Sequence, residues 1–559
     1  MSASGAEFNA RQAHGPRTHL VALVILAGTL RVGLVEAQPI HDPENPGAQP
    51  IHDPENPGIQ TIHDPENPGI QTIHDPEDAS LGGGGPGPGA APFVSVTSFR
   101  GQLRALTAMD VARDPNDEHT LETQAYAGLV LTHRFSARWS ARLEGRLRWT
   151  MLAQSREGNP PIAVTRDSWE GRVEPDIGQT YLSFRRDAWS VRVGTINFSW
   201  GSTDITRPSD TINPRDLRLG PLASRDETKI PVFATDLGWA TRHWELQWLV
   251  VPVFVPHRAD LYGSDNAMIR DGGIIDAPGA GALFRSAIDP SLRHLAQPLL
   301  VQTSLPRPTP ENASVGARAT ARYGGADISA GYMFGWDRTP RVALSPAGRR
   351  LLDAFQDGID GSLDGEQFGA LLEAQQSIDE GNALIDARHL REHRVSVDGV
   401  RYFGPVGVRA ESTWSPAQTF AVSDIRTVRR AQIASALGLS YESSGGRWLV
   451  VVEGFHGHVF RRDADGEFAL HQDRRAGIGT AIDVGLARSA NRVRLRSLLL
   501  LQPRHGDYVF SPSVRWAVDG RLDVDVGAMT IGTWGTSSRS LGAVFSNTDQ
   551  VYVRGTWAF

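Results

Sequence analysis

The sequence holds no cysteine and only one lysine, and past residue 30 it has no long apolar run. Without cysteine there is no disulfide framework, no thiolate zinc site and no thiol nucleophile; the absence is neutral as to compartment. All 56 basic residues except Lys229 are arginine, and the formal net charge of −7 carries no nucleic-acid signal. No later stretch reaches the eighteen or so consecutive apolar residues that a transmembrane helix needs, which excludes a helical membrane protein. The one apolar run, LVALVILAGTL at 20–30, is too short to span a bilayer. It follows Arg11, His14 and Arg17 and precedes the small residues Val35 and Ala37, so residues 1–37 read as a signal peptide and Gln38 as the mature start.

What fills 93–559 is alternation. In RWSARLEGRLRWTM at 138–151, Trp139, Ala141, Leu143, Gly145, Leu147, Trp149 and Met151 share one parity. Arg138, Ser140, Arg142, Glu144, Arg146 and Arg148 take the other. Period two means a strand with one apolar and one polar face. Tryptophans close both ends of the apolar face, and at a tilt near 45° their separation gives roughly 24 Å of height, close to the apolar band of an outer-membrane barrel. The pattern recurs with Arg192 opposite Trp189, Val191 and Val193, with Arg492, Arg494 and Arg496 opposite Val493, Leu495, Leu499 and Leu501, and with Asp523 and Asp525 opposite Leu522, Val524 and Val526. Lipid does not tolerate such polar faces; a water-filled interior does.

Eighteen such segments can be drawn, with sixteen as the alternative count. Short turns follow the even ones and longer connections mostly the odd ones, as in a barrel with turns at one end and loops at the other. The fold class expected is therefore all-β, a transmembrane antiparallel β-barrel. The ending VYVRGTWAF places Trp557 and Phe559 on the apolar parity and resembles the C-terminal signal by which bacterial outer-membrane barrels are recognised by the barrel assembly machinery.

Along VRVGTINFSWGSTDITRPSDTINPRDL at 191–217 the chain resembles a poorly characterised branch of porin-like outer-membrane proteins, which pair an RVG…WG strand with an NPxD loop. The matching residues are Arg192, Gly194, Trp200, Gly201, Asn213, Pro214 and Asp216. The resemblance implies a β-barrel with a transport role and carries no substrate.

Four constellations stand out. Arg142, Glu144, Arg146, Arg148, Arg192, Arg492, Arg494, Arg496, Asp523 and Asp525 are expected to line the pore, either binding anionic groups or pairing among themselves. The loop 201–229, braced by Pro208, Pro214 and Pro221, carries Asp204, Arg207, Asp210, Arg215, Asp216 and Lys229 and is a candidate constriction; a solvated surface loop is the competing reading. An acidic insert at 340–392 has helical periodicity in Leu351, Leu352 and Phe355 and again in Phe368, Leu371 and Leu372. Its DGIDGSLDG centre fails as a calcium hand, since Gln356, Gly358 and Gln367 fall where ligands belong. His456 and His458 share a strand face near Glu453 without a serine nucleophile, so interface histidines are expected rather than a catalytic group. No enzyme, cofactor or metal site is expected.

Between the signal peptide and the first strand, IHDP recurs at Ile40, Ile51, Ile62 and Ile73, and three copies continue as ENPG. Two prolines and a glycine per eleven-residue copy forbid helix and sheet, so 38–92 reads as a spacer ending in the Gly/Pro hinge LGGGGPGPGAAP. The His-Asp pairs suit a periplasmic partner, and repeat expansion of a neutral linker is the alternative. The whole chain reads as a porin-like outer-membrane channel or export conduit for polar, including anionic, solutes. The alternative is a non-conducting barrel that displays loops and tethers a periplasmic partner. Mass spectrometry of the mature protein is expected to give an N-terminus at Gln38; an N-terminus inside or before the apolar run contradicts the signal-peptide reading.

Overall fold

In a computed structural model, residues 95–559 are described apart from 112–120, 154–171, 221, 259–301, 355–363, 381, 383–384, 422–426, 464–467, 469–472, 490, 537–539 and 547. The expected signal peptide and the repeat spacer 38–92 lie outside the described residues.

The alternating segments form strands β1 (Val96–Asp110), β2 (Leu121–Arg134), β3 (Trp139–Ala153), β4 (Arg172–Ile177), β5 (Thr180–Arg186), β6 (Trp189–Ile196), β7 (Val232–Ala240) and β8 (Trp244–Val251). Next come β9 (Gln302–Ser304), β10 (Ser314–Tyr323), β11 (Ala326–Trp336), β12 (Arg341–Leu344), β13 (Ile385–Arg388), β14 (Arg391–Phe403), β15 (Val406–Ala421) and β16 (Thr427–Glu442). The last are β17 (Trp448–Val459), β18 (Arg474–Gly485), β19 (Val493–Gln502), β20 (Asp507–Ala517), β21 (Leu522–Thr533) and β22 (Gln550–Ala558). Helices are few: α1 (Arg225–Thr228), α2 (Pro346–Ala354), α3 (Gly365–Asp379) and α4 (Leu541–Val544).

All strands but β9, β12 and β13 join one antiparallel sheet. β4 and β5 both pair with β3, so they are one stave interrupted at Gly178 and Gln179. The ring therefore has eighteen staves, as the alternation predicts, and the sixteen-strand alternative falls. It closes where β22 meets β1, with Gln102 opposite Ala558 and Asp110 opposite Gln550. Phe559 extends the seam by exchanging backbone hydrogen bonds with Gly101 at 2.7 and 2.9 Å. Closure leaves no strand edge, which hydrocarbon could not solvate.

Side chains sort by parity. Leu143 and Leu147 of β3 are exposed while Glu144 and Arg148, each the next residue along, are buried inside the ring. At the short-turn end, exposed Phe135, Trp139, Trp189, Trp244, Phe403, Trp448, Trp516 and Trp557 form an aromatic belt. The short turns use left-handed backbone where sequence permits it: Gly324 and Gly325 between β10 and β11, Gly404 between β14 and β15, Asn491 before β19. At the other end His393 stacks on Phe334 at 4.7 Å and His458 packs edge-on against Phe460 at 4.8 Å. His456 is exposed on the same outward face as His458, whereas Glu453 is fully buried on the inward one.

The insert is built from β12, α2, α3 and β13. β13 pairs with β12 and runs parallel to β9, making a small three-stranded sheet, and β12 lies against β16. Leu351 and Leu371 are buried as their periodicity predicts, but Phe368 and Leu372 are exposed.

Gly194 shows what the sheet demands locally. Its φ is +144°, and a Cβ there would sit 2.2 Å from the Thr180 carbonyl oxygen and 2.6 Å from Tyr181 Cα. Both contacts are backbone, so nothing swings away. Gly194→Ala is expected to destabilise the refolded barrel by about 2–4 kcal/mol, the sum of an unfavourable φ and overpacking. A denaturant midpoint unchanged from wild type contradicts this.

Candidate constriction across the lumen

The connection from β6 to β7 runs from Asn197 to Pro231 and folds inside the ring. Its first part builds a core on the inner wall. Phe198, Trp200 and Ile212 pack with Ile196, Val232, Ala234, Leu249 and Val251, all at 4% exposure or less. The Trp200 indole N–H donates to Gln247 Oε1 at 3.0 Å, so the ring is buried without losing its polar group. Gly201 follows with φ +107°; a Cβ would lie 2.5 Å from Glu411 Oε2. Glycine here lets the backbone turn onto that carboxylate.

Asn213 ties the two ends of the loop. Its Oδ1 accepts from the Phe198 N–H at 2.6 Å, and its Nδ2 donates to the carbonyls of Ile196 and Ile230, both at 3.0 Å. The Ile230 N–H reaches the Pro214 carbonyl at 2.9 Å. The WG and NPxD signatures thus hold the loop base to the wall and to itself.

The loop tip is pinned on the far side of the ring by two wall carboxylates. Glu411 of β15 accepts from the backbone N–H groups of Ser202 at 3.0 Å, Thr203 at 3.2 Å and Ser209 at 2.5 Å, and from the Thr203 hydroxyl at 2.8 Å. Glu453 of β17, fully buried, accepts from the backbone N–H groups of Asp204 at 3.0 Å, Ile205 at 3.1 Å and Thr206 at 2.6 Å, and from the Thr206 hydroxyl at 2.6 Å. The rest of the loop crosses back: Glu227 pairs with Arg104 of β1, and the Leu222 carbonyl accepts from Arg554 of β22.

The loop's own charges converge on two carboxylates. Asp210 takes Lys229 at 3.2 Å, Arg225 at 3.1 Å and Arg215 at 3.3 Å. Burial alone raises the Asp210 pKa, but Lys229, Arg225 and Arg215 outweigh it and hold the carboxyl below its usual range. Its contribution to stability is thus present above the unfolded pKa near 4 and is lost only as pH falls through the lower folded value. Asp216 takes Arg218 at 2.8 Å, Arg148 at 3.3 Å and Arg258 at 3.8 Å. Asp204 pairs with Arg409 at 2.7 Å, and Arg207 donates to the Thr203 carbonyl at 2.7 Å.

The wall residues singled out from sequence are placed as follows. Glu144 joins Arg142 at 3.1 Å and Arg146 at 2.5 Å and also accepts from Gln179 N at the stave break. Arg192 pairs with Asp236 at 2.6 Å, Arg494 and Arg496 share Asp483 at 2.5 and 3.0 Å, and Arg515 meets Asp523 at 2.6 Å. Asp525 lies opposite Arg515 and Arg554 in register. Arg492 differs: it lies in the turn before β19 and is exposed, because the ladder starts one residue later. Sequence reading missed Glu411, Asp483 and Arg409 and noted Glu453 only as a neighbour of His456 and His458, although each sits on the polar parity of its strand.

Glu453→Gln is nearly isosteric but presents an N–H₂ to backbone donors. It is expected to cost about 1–3 kcal/mol of stability and to speed hydrogen exchange at 204–206. Unchanged exchange there contradicts the pinning. A second expectation concerns the loop end, where burial pushes the His389 imidazole down to about 4 while its Nδ1 bonds the Asp337 carbonyl at 2.8 Å. The folded state holds it neutral and the unfolded state protonates near 6.5. Stability at this contact therefore falls as pH drops from about 6.5 to about 4, read as faster exchange around 385–391; a flat pH profile contradicts it.

No protein-family model matches the chain, and no curated protein matches it. Among solved structures it aligns with OccAB1 of Acinetobacter baumannii at 8% identity and a TM-score of 0.42, over 83% of this chain and 96% of that one. It aligns with OpdQ of Pseudomonas aeruginosa at 8% identity and a TM-score of 0.41, over 83% and 98%. A third is OmpF of Salmonella typhi in complex with daunomycin, at 10% identity and a TM-score of 0.38, over 83% and 97%.

Proposed function

We propose that the chain is a porin-like channel of the bacterial outer membrane, of the branch marked by the WG…NPxD loop, passing polar solutes by passive diffusion with anions favoured. The supporting observation is the loop drawn across the lumen and the stoichiometry of its ion pairs. Glu144, Asp210, Asp216 and Asp483 each serve two or three cations rather than one. At these four carboxylates the cations outnumber the acids, and low-dielectric walls concentrate the field of such a surplus.

The outward apolar faces and the aromatic belt suit lipid, and Trp557 with Phe559 at the seam suits recognition by the barrel assembly machinery. The two chain ends of the ring lie at the short-turn end, since Val96 pairs with Arg134 and Ala558 with Gln102. In this reading that end is periplasmic, and the repeats hang there within reach of a periplasmic partner. The insert strands β12 and β13 lie at the loop end, where β12 packs against β16.

The refolded protein in a planar bilayer is expected to conduct, and in a KCl gradient its reversal potential is expected to have the sign of chloride preference. Cation preference overturns the charge argument. Absence of current overturns the channel and leaves a barrel that displays loops and tethers a partner.

A further inference from the structure

The repeats that precede the first strand are acidic throughout. Residues 38–92 hold nine acidic side chains and neither arginine nor lysine, so the stretch is a polyanion. It joins the ring at the short-turn end, where β1 begins at Val96, opposite Arg134 in register. Asp78, the last acid before the barrel, is 17 residues from Ser95. A Gly-rich link of that length averages roughly 23 Å end to end and extends to roughly 56 Å.

The rim is basic where the repeats arrive. Arg100 stands near the start of β1, Arg134 at the end of β2, Arg138 in the turn to β3 and Arg242 in the turn from β7 to β8. Arg100, Arg138 and Arg242 are exposed and Arg134 is half-buried. None of the four has a carboxylate partner among the described residues, in contrast to Arg142, Arg192 and Arg494 of the wall, which are ion-paired. The acids of the same sector are engaged: Asp187 faces Arg186 at 3.7 Å and Glu245 pairs with Arg322. Arg100 shares the inward parity of Arg104, which meets Glu227 of the loop, and Arg134 shares that of buried Glu122. Both therefore stand at the mouth of the lumen, where lipid headgroups do not reach and a tether from the start of β1 does. Arg242, the farthest of the four, is about six strand spacings from β1, or roughly 30 Å, within the span of the link.

We propose that the short-turn rim around Arg100, Arg134, Arg138 and Arg242 is a docking surface for the chain's own acidic repeats, which lie across the mouth there and are held by charge. One exposed ion pair contributes little. Attachment makes each contact intramolecular, however, at an effective concentration in the millimolar range. Because the acids recur every eleven residues, successive copies replace one another on the same four cations. The inference goes beyond the channel reading and holds whether or not the ring conducts.

With no native cysteine, two dyes can be placed by Gln60→Cys in the repeats and Ala137→Cys in the turn between β2 and β3. The chain from Gln38 onward is refolded into nanodiscs of zwitterionic lipid. Energy transfer is then followed from about 10 mM to about 1 M NaCl, which shortens the screening length from roughly 30 Å to roughly 3 Å. Docking predicts transfer that is highest at low salt and falls about twofold as salt rises. An acidic tether that meets nothing does the opposite, because its own repulsion stretches it when salt is low. At low salt, Arg134→Glu with Arg138→Glu and Arg242→Glu is expected to give the high-salt value, and replacing the repeat acids by lysine in that variant is expected to restore transfer. Neutralising the repeat acids as asparagine and glutamine, which leaves the barrel untouched, should abolish the low-salt signal by itself. Transfer that rises with salt, or that ignores both sets of substitutions, overturns the docking. So does loss of the low-salt signal when the lipid is changed to phosphatidylglycerol, since the arginines would then hold lipid phosphates.

Discussion

Two buried carboxylates, Glu411 and Glu453, decide the interior of this barrel. A connecting loop that enters a lumen brings backbone N–H groups that need acceptors. Six of those groups, at Ser202, Thr203, Asp204, Ile205, Thr206 and Ser209, end on these two side chains. Each of the two carboxyl groups accepts through both of its oxygens. The loop tip therefore has one position, set by strands that lie far from the loop's own origin. The remaining contacts, from Asn213 at the base to Arg554 on the return, assume that position.

The closed ring and the loop solve the same problem at different scales. In the wall each strand satisfies its neighbours, and the seam from β22 to β1 satisfies the last pair. Across the lumen no neighbour exists, so side chains replace the ladder. Charge is distributed in the same economy: arginines outnumber the acids they pair with at Glu144 and Asp483, and Asp210 holds the only lysine with two arginines. Rigid pairing and an excess of cations at these sites are thus compatible.

The wall was legible because parity is a one-dimensional signal. Arg142 to Arg148 and Trp139 to Trp149 announce their faces without reference to any other strand, and each of the eighteen segments drawn from that signal is a stave. The interior was less legible for a physical reason. Inward positions need not be polar where something covers them: Leu498 and Leu500 share the parity of Arg494 and Arg496 yet are buried, with Ile205 of the loop close to Leu500 around Gly479. Met529 and Ile531 are likewise buried on β21, against which α4 packs. Partners such as Glu453 and Thr206 are 247 residues apart, and no local pattern joins them. Proline and charge in 201–229 marked the right segment without revealing which strand would hold it.

Because the chain lacks cysteine, a single introduced pair reads the loop position without background. Ser209 of the loop and Thr413 of β15 have side-chain oxygens 2.9 Å apart, so Ser209→Cys with Thr413→Cys places two thiols within bridging reach. The double variant, refolded in lipid and exposed to mild oxidant, is expected to form an intramolecular disulfide in nearly every molecule. Two free thiols that react independently with a water-soluble reagent would mean that the loop does not cross the lumen to β15.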